Sequence, residues 1–238
     1  MGKISKFCTC KDLSCPYHPT NHDKGCAPCV ADNLKDREIP SCYFNLLDEN
    51  YAGGSYKFED FAGLVQEREL VDLMAKRRSI RKYTEESIPE EKLKRILQAA
   101  LLAPTSRGKR PWEFYVIQDR ETLEKLSKAK WHGANLLAGC NTAIAVFADS
   151  DLSDAWIEDS SIALAYMDLM AADQGVGSCW VQMRMRKDEA GADAEQNVRD
   201  ILGVELPWRM VGIMALGMPA EEKEPYSLDE LMWEKVHR

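Results

Sequence analysis

The sequence predicts an α+β protein with a small cysteine-rich knuckle at its N-terminal end, and three observations carry that prediction. Apolar runs of strand length, Glu113 to Ile117, Thr142 to Ala148, Ser178 to Val181 and Trp208 to Met218, alternate with segments of helical period. Six of the eight cysteines lie between Cys8 and Cys42. The chain has 238 residues, 45% of them hydrophobic, which is enough for one full core and an appendage. The expected division is a cysteine module over 1–45, a linker over 46–65 and the main domain over 66–238.

Composition also excludes partners. A formal net charge of -8 argues against nucleic acid, which wants a basic face on a basic chain. The absence of an apolar run of about 18 residues argues against a membrane span. Met1 to Lys6 carries basic residues with no apolar stretch after them, so no secretory signal is expected, and Lys6 stands where a myristoylation motif wants Ser or Thr. Crowded cysteines without such a signal point to metal in a reducing compartment, the cytoplasm, rather than to disulfides.

The module reads Cys8-x-Cys10, then Cys15, Cys26-x-x-Cys29 and Cys42. Thiolates two or three residues apart can turn onto one tetrahedral ion, and His18 and His22 add candidate ligands beside the hydrophilic Asp23 and Lys24. Pro16, Pro19, Pro28 and Pro40 deny the segment a long helix. Zinc is the first reading, as one four-cysteine site or as a pair of sites sharing six cysteines and a histidine. An iron-sulfur cluster is the second, although a tight Cys-x2-Cys-x2-Cys run is absent. Free, partly oxidised thiols are the third. The segment resembles a small uncharacterised family with the pattern Cys-x-Cys-x4-Cys, Cys-x2-Cys, Pro-x-Cys, and the resemblance implies metal binding and no activity.

Gly53, Gly54 and Ser55 form the soft point of the linker. Tyr43, Phe44, Tyr51, Tyr56, Phe58 and Phe61 run through it, which predicts that the module packs on the next domain or on a partner subunit. Leu70, Leu73, Met74 and Arg77, with Val71 alongside, follow at helical spacing. The last turn of this amphipathic helix delivers Arg77 and Arg78, and the turn beyond it supplies Ser79 and Arg81. Arg77 to Tyr83 holds four cations and two hydroxyls in seven residues. Guanidinium forks packed this closely suit a phosphate, whose oxygens accept charge-assisted hydrogen bonds. The bland alternative is a solvated basic helix end.

Ile88-Pro89-Glu90-Glu91 opens a second helix with proline and two acids in its first turn. Leu93, Ile96, Leu97, Ala100 and Leu101 form its apolar stripe, and it stops before Pro104. A charged helix is expected from Arg120 to about Lys130, and a long one over about 154–173 holds Ile162, Ala163, Tyr166, Met167, Leu169 and Met170. So apolar a helix belongs in a large core or a dimer interface. Gly175-Val176-Gly177 is a turn into a strand, and a dinucleotide fingerprint would instead open a helix. A surface helix over 192–202 precedes the last strand, and the tail carries Leu231-Met232-Trp233.

Four motifs in order, Arg77 to Tyr83, Ala103-Pro104-Thr105-Ser106 running to Pro111-Trp112, Gly175 to Trp180, and Gly217 to Lys223, resemble the signature of the FMN-dependent nitroreductase family over about residues 66–225. The resemblance implies a mixed sheet sandwiched by helices and an interlocked homodimer with an FMN in each of two interface sites. It implies transfer of hydride from NADH or NADPH through flavin N5 to a small nitro- or quinone-like acceptor, in a ping-pong cycle. Arg77, Arg78, Ser79, Arg81 and Lys223 then hold the phosphate end. Pro104, Thr105 and Ser106 reach the partner subunit's flavin, and Asn135 in the loop from Trp131 touches the ring with the backbone of Gln182, Met183 and Arg184. No general acid is apparent.

The chain departs from the family pattern at Arg107-Gly108-Lys109-Arg110, where amides are replaced and three cations stand, and after Lys223, where further cations are common. The added charge suits anionic substrates or a phosphorylated nicotinamide, or is solvated surface. Two rival readings are a flavoprotein fed electrons through an iron-sulfur module, and a non-enzymatic metal or flavin sensor.

Overall fold

The chain folds as two compact units, Met1–Asp72 and Leu73–Arg238, in a computed structural model that describes residues 8–48, 51 and 55–238, excepting the side chains of 66–69. Met1 to Lys6 and the expected soft point at Gly53 and Gly54 lie outside the described residues.

The first unit contains helices α1 (Ala27–Lys35) and α2 (Ser41–Leu47) and the start of α3 (Phe58–Lys76), which runs across the division. Pro28 sits in the first turn of α1 and Pro40 directly precedes α2, positions where a missing N–H costs nothing. Phe44 is fully buried against Tyr51, Tyr56 and Phe61, with ring centroids 4.7, 5.2 and 5.3 Å away. These aromatics were expected to pack on another domain or subunit, and 46–65 to be a linker. Phe44, Tyr51, Tyr56 and Phe61 pack on one another, because large rings stacked and meeting edge to face can make a small core, while Tyr43 and Phe58 are exposed. The unit therefore reaches well past residue 45. The segment at Glu38 and Ile39 is tied to the same region: Ile39 N–H donates to Tyr56 O at 2.8 Å, and Lys57 pairs with Glu38 at 2.8 Å.

The helix expected over 70–77 is the end of the 19-residue α3. Leu70, Val71 and Met74 are about half exposed, and Leu73 is half-buried.

The second unit is a four-stranded sheet of β1 (Trp112–Ile117), β2 (Thr142–Asp149), β3 (Gly177–Gln182) and β4 (Trp208–Gly217) in the order β1-β2-β4-β3. All three ladders are antiparallel, which corrects the expected mixed sheet. The physical reason is that β4 lies between β2 and β3, which run the same way but never pair. Among the described residues, the parallel pairing is a single bridge from Ser79 to Ser178 at the β3 edge.

Every residue of β2 but the last is buried, and successive residues face opposite cores, as the period of two requires. Ile144, Val146 and Ala148 join the core made with α4 (Glu90–Leu101) and α6 (Trp156–Asp173), whereas Ala143, Ala145 and Phe147 join that made with α5 (Arg120–Ser127) and α7 (Ala194–Leu202). Helices thus cover both faces, as expected. Asp119 and Asp193 cap α5 and α7 by accepting from the N–H groups of Thr122 and Gln196. Among the described residues, no helix is long and apolar enough to cross a membrane.

Candidate functional site

The strip following α3 is stitched into the sheet on both sides. Arg77 N–H still donates to Leu73 O, Ile80 N–H donates to Ser178 O at 2.8 Å, and Thr84 N–H and Ala220 N–H bond Met218 O and Lys82 O at 2.9 Å. The Tyr83 hydroxyl donates to Ile80 O at 2.7 Å, and its burial drives the phenol pKa upward. The approach demands glycine: a Cβ on Gly177 would lie 2.9 Å from the Ile80 side chain, and one on Gly217 would lie 2.8 Å from the Tyr83 ring. The glycine at 177, read from the sequence as a turn former, is therefore a close-packing residue.

This backbone fixes a cationic corner. Arg77 pairs with Asp168 at 3.2 Å, and Asp168 in turn accepts from the Ser178 hydroxyl at 2.6 Å. Lys223 Nζ donates to Ser79 O and stands 3.6 Å from Glu221, whose carboxylate accepts from Arg81 N–H at 2.6 Å. The Arg81 amide and the Lys223 charge hold the Glu221 carboxyl below its usual range. Arg78 donates to Glu224 O and lies over the Tyr226 ring at 4.3 Å, while Tyr226 N–H returns to Ala75 O. Arg77, Arg78, Ser79, Arg81 and Lys223 thus stand in one region of the second unit, and the donor set of guanidinium, ammonium and hydroxyl groups fits a phosphate monoester. Asn135 joins them: with Arg81, Lys82, Tyr83 and Leu136 it lines a cleft of about 490 Å³.

Two other groups of expected residues are engaged elsewhere. Ser106 N–H donates to the buried carboxylate of Asp159 at 2.8 Å, Thr105 Oγ1 accepts from Arg110 N–H at 3.0 Å, and Pro104 is exposed. Among the described residues no hydrogen bond links these three to the corner. Met183 and Arg184 N–H both donate to Val211 O at 3.0 Å, and the Met183 side chain is fully buried. The Gln182 carbonyl accepts from Lys130 Nζ at 2.9 Å, and burial, with Arg186 nearby, lowers the lysine's pKa. The backbone donors of 183 and 184 expected to meet a ring are therefore already used by β4.

Sequence reasoning missed Asp168, Ser178, Glu221 and Lys130. Asp168 left a signal: it is a lone acid in the otherwise apolar run from Ile162 to Ala172, and a half-buried carboxylate there needs a cation. The others left none, because their roles depend on which segments the sheet brings together.

In the first unit, all six cysteines are free and half-buried, and together with His18 they line one cavity of about 380 Å³. Burial, reinforced by Cys42, Cys10, Cys15 and Cys26, pushes the Cys29 thiol up to about 11. The donor chemistry fits a soft metal, although among the described residues no three Cys, His, Asp or Glu side chains already stand as a coordination shell.

A helix-covered antiparallel sheet with a cationic corner stitched along its edge strand defines the class of the second unit. The chain belongs to the Nitroreductase family, which it matches over residues 74–136 and 130–218. Residues 2–69 match a separate domain of unknown function, DUF6485. A protein of Archaeoglobus fulgidus, named provisionally as an NADH dehydrogenase/NAD(P)H nitroreductase, is 35% identical over 175 residues, spanning 71% of this chain and 97% of its own. One of the same provisional name in Methanothermobacter thermautotrophicus is 31% identical over 178 residues, 74% of this chain and 89% of its own. The solved structure of an FMN-dependent nitroreductase from Clostridium difficile superposes with a TM-score of 0.69 at 41% identity, covering 71% of this chain and 98% of its own.

Proposed function

We propose that this nitroreductase-family oxidoreductase uses FMN to carry reducing equivalents from NADH or NADPH to a small nitro- or quinone-like acceptor. Bound FMN would supply the hydride chemistry, taking from the nicotinamide and giving to the acceptor in alternating half-reactions. The observation that carries the reading is the convergence of Ser79, Arg81 and Lys223 on one corner, with Arg77 held in place by Asp168. Ser79, Arg81 and Lys223 clamp the phosphate, Arg78 flanks it from its seat on Tyr226, and Asn135 lines the adjoining cleft. Lys130, on the Gln182 carbonyl, brings positive charge to the end of β3, where negative charge on a reduced ring would be stabilised.

The second unit works in this reading as half of a homodimer. Leu101 and Leu102, the latter 77% exposed, stand one buried residue, Ala103, before Pro104, Thr105 and Ser106, so a second copy that covers those leucines would bring the three residues to its own flavin. Tyr166 on α6 and Leu231, Met232 and Trp233 in the tail add exposed apolar surface for the same contact. The first unit is read as metal-binding, with zinc ahead of an iron-sulfur cluster, in the reducing cytoplasm, where its thiols stay free.

The test is the spectrum of the purified full chain and its titration with FMN. Absorbance at about 450 nm, one FMN per chain, and bleaching by NADH or NADPH are expected. A colourless protein that takes up no added FMN overturns the reading. A flavin that neither nicotinamide reduces would move the electron source to the cysteine unit.

A further inference from the structure

Seven soft donors around one cavity are more than a single ion uses. A tetrahedral zinc takes four ligands, which would leave three thiol or imidazole groups half-buried and idle. Two tetrahedral ions need eight positions, and seven donors fill eight when one thiolate bridges.

The placement of the donors separates them in the same way. Cys10, Cys15 and Cys29 line a second, adjoining cavity of about 430 Å³ as well as the first, whereas Cys8, His18, Cys26 and Cys42 line only the first. The set thus has two ends. Cys26 stands one helical turn before Cys29 at the start of α1, and Ser41, next to Cys42, lines both cavities, so either cysteine can serve both ends.

The histidine is also selected. His18 is 4% exposed, its Nε2 faces Cys8 Sγ at 3.9 Å, and its Nδ1 is 2.7 Å from the Thr20 hydroxyl. An imidazole fixed from behind through one nitrogen, with the other turned to a thiol cluster, is the arrangement that orients metal-binding histidines. His22 instead spends its Nε2 on Tyr17 O at 3.1 Å.

We infer that the cavity of the first unit holds two zinc ions in one Cys6His set, with Cys8, His18, Cys26 and Cys42 around one ion, Cys10, Cys15 and Cys29 around the other, and Cys26 or Cys42 bridging. The inference rests on the metal-binding reading of this unit and sets its stoichiometry and its histidine. It is independent of the flavin.

The experiment is elemental analysis and native mass spectrometry of the full chain, purified from zinc-supplemented cells, with flavin quantified on the same sample. Two zinc per chain are expected, whatever the flavin content. One zinc per chain overturns the two-ion set while keeping the metal reading. Metal-free protein, with its thiols free or paired as disulfides, overturns both, and iron with acid-labile sulfide overturns the zinc assignment. Cobalt substitution needs no variant: two equivalents should bind, with thiolate-to-metal charge-transfer bands rising through both, and saturation at one equivalent counts against the pair. For the histidine, His18→Ala should hasten zinc release to a chelator by about tenfold or more, and His22→Ala should release it at the wild-type rate. Equal rates in the two variants overturn the assignment of His18.

Discussion

The two units of this chain solve the problem of holding polar donors together in opposite ways. In the second, a sheet buried on both faces comes first, and the cationic corner is assembled by backbone hydrogen bonds from Ile80 and Thr84 to that sheet and its continuation, and from Ala220 back to Lys82. In the first, one fully buried phenylalanine and three rings around it make the core, and the cysteines line a cavity without being gathered. A site supported by a large core can be preorganised, while a site that outweighs its core needs the ligand to complete the fold.

The strongest way to break this comparison is to remove the metal. Chelation of the full chain should abolish amide-exchange protection over 8–48, since structural zinc is worth about 10 kcal/mol or more to a small domain. All six tryptophans lie between Trp112 and Trp233, so tryptophan fluorescence reports the second unit alone and should not change. Retained protection would show that the rings suffice by themselves.

Core truncation comes next. Ile144→Ala, on the fully buried β2, should lower the stability of the second unit by about 2–5 kcal/mol in denaturant titrations followed by tryptophan fluorescence. A loss under about 1 kcal/mol would mean that the sheet is less tightly packed than the two-faced burial of β2 indicates.

Smaller effects test the corner. Arg81→Ala should weaken FMN binding by about 1–3 kcal/mol, the range for a charge-assisted hydrogen bond, with little effect on the melting temperature. Arg77→Ala should weaken it too and also lower stability, because Asp168 is left without its cation. Equal melting temperatures for the two variants would show that the Arg77–Asp168 pair does not support the site.

The smallest effect concerns pH. The Glu221 carboxyl is held below its usual range by the Arg81 amide and Lys223, so its contribution to stability is complete above about pH 4.5 and is lost as pH falls through the lower folded value. Glu221→Gln should flatten the acid limb of a stability-against-pH curve in that window. An unchanged slope would remove Glu221 from the ion network.

The four motifs were legible because each is local: a run of cations, a proline turn, a glycine pair, a final strand with its lysine. The helices of the second unit were legible for the same reason, through their apolar periods and, for α4, the proline and two acids at its start. What the sequence concealed was pairing. The strands expected to form a mixed sheet pair in antiparallel ladders, because β4 lies between β2 and β3. The aromatic residues from Phe44 to Phe61, which read as a joint, closed on themselves as a core.

By itself, then, the sequence determined which donors exist, on which kind of element they sit, and that thiols and cations would fall in separate parts of the chain. The tertiary structure alone decided that Asp168 and Ser178 would brace Arg77, that Glu221 would sit among the cations, and that His18 rather than His22 would face the thiols. The reason is that periodicity and composition act over a few residues, whereas those contacts bring together segments ten to over a hundred residues apart, and only the packing of the sheet and the closing of the cavity choose among them.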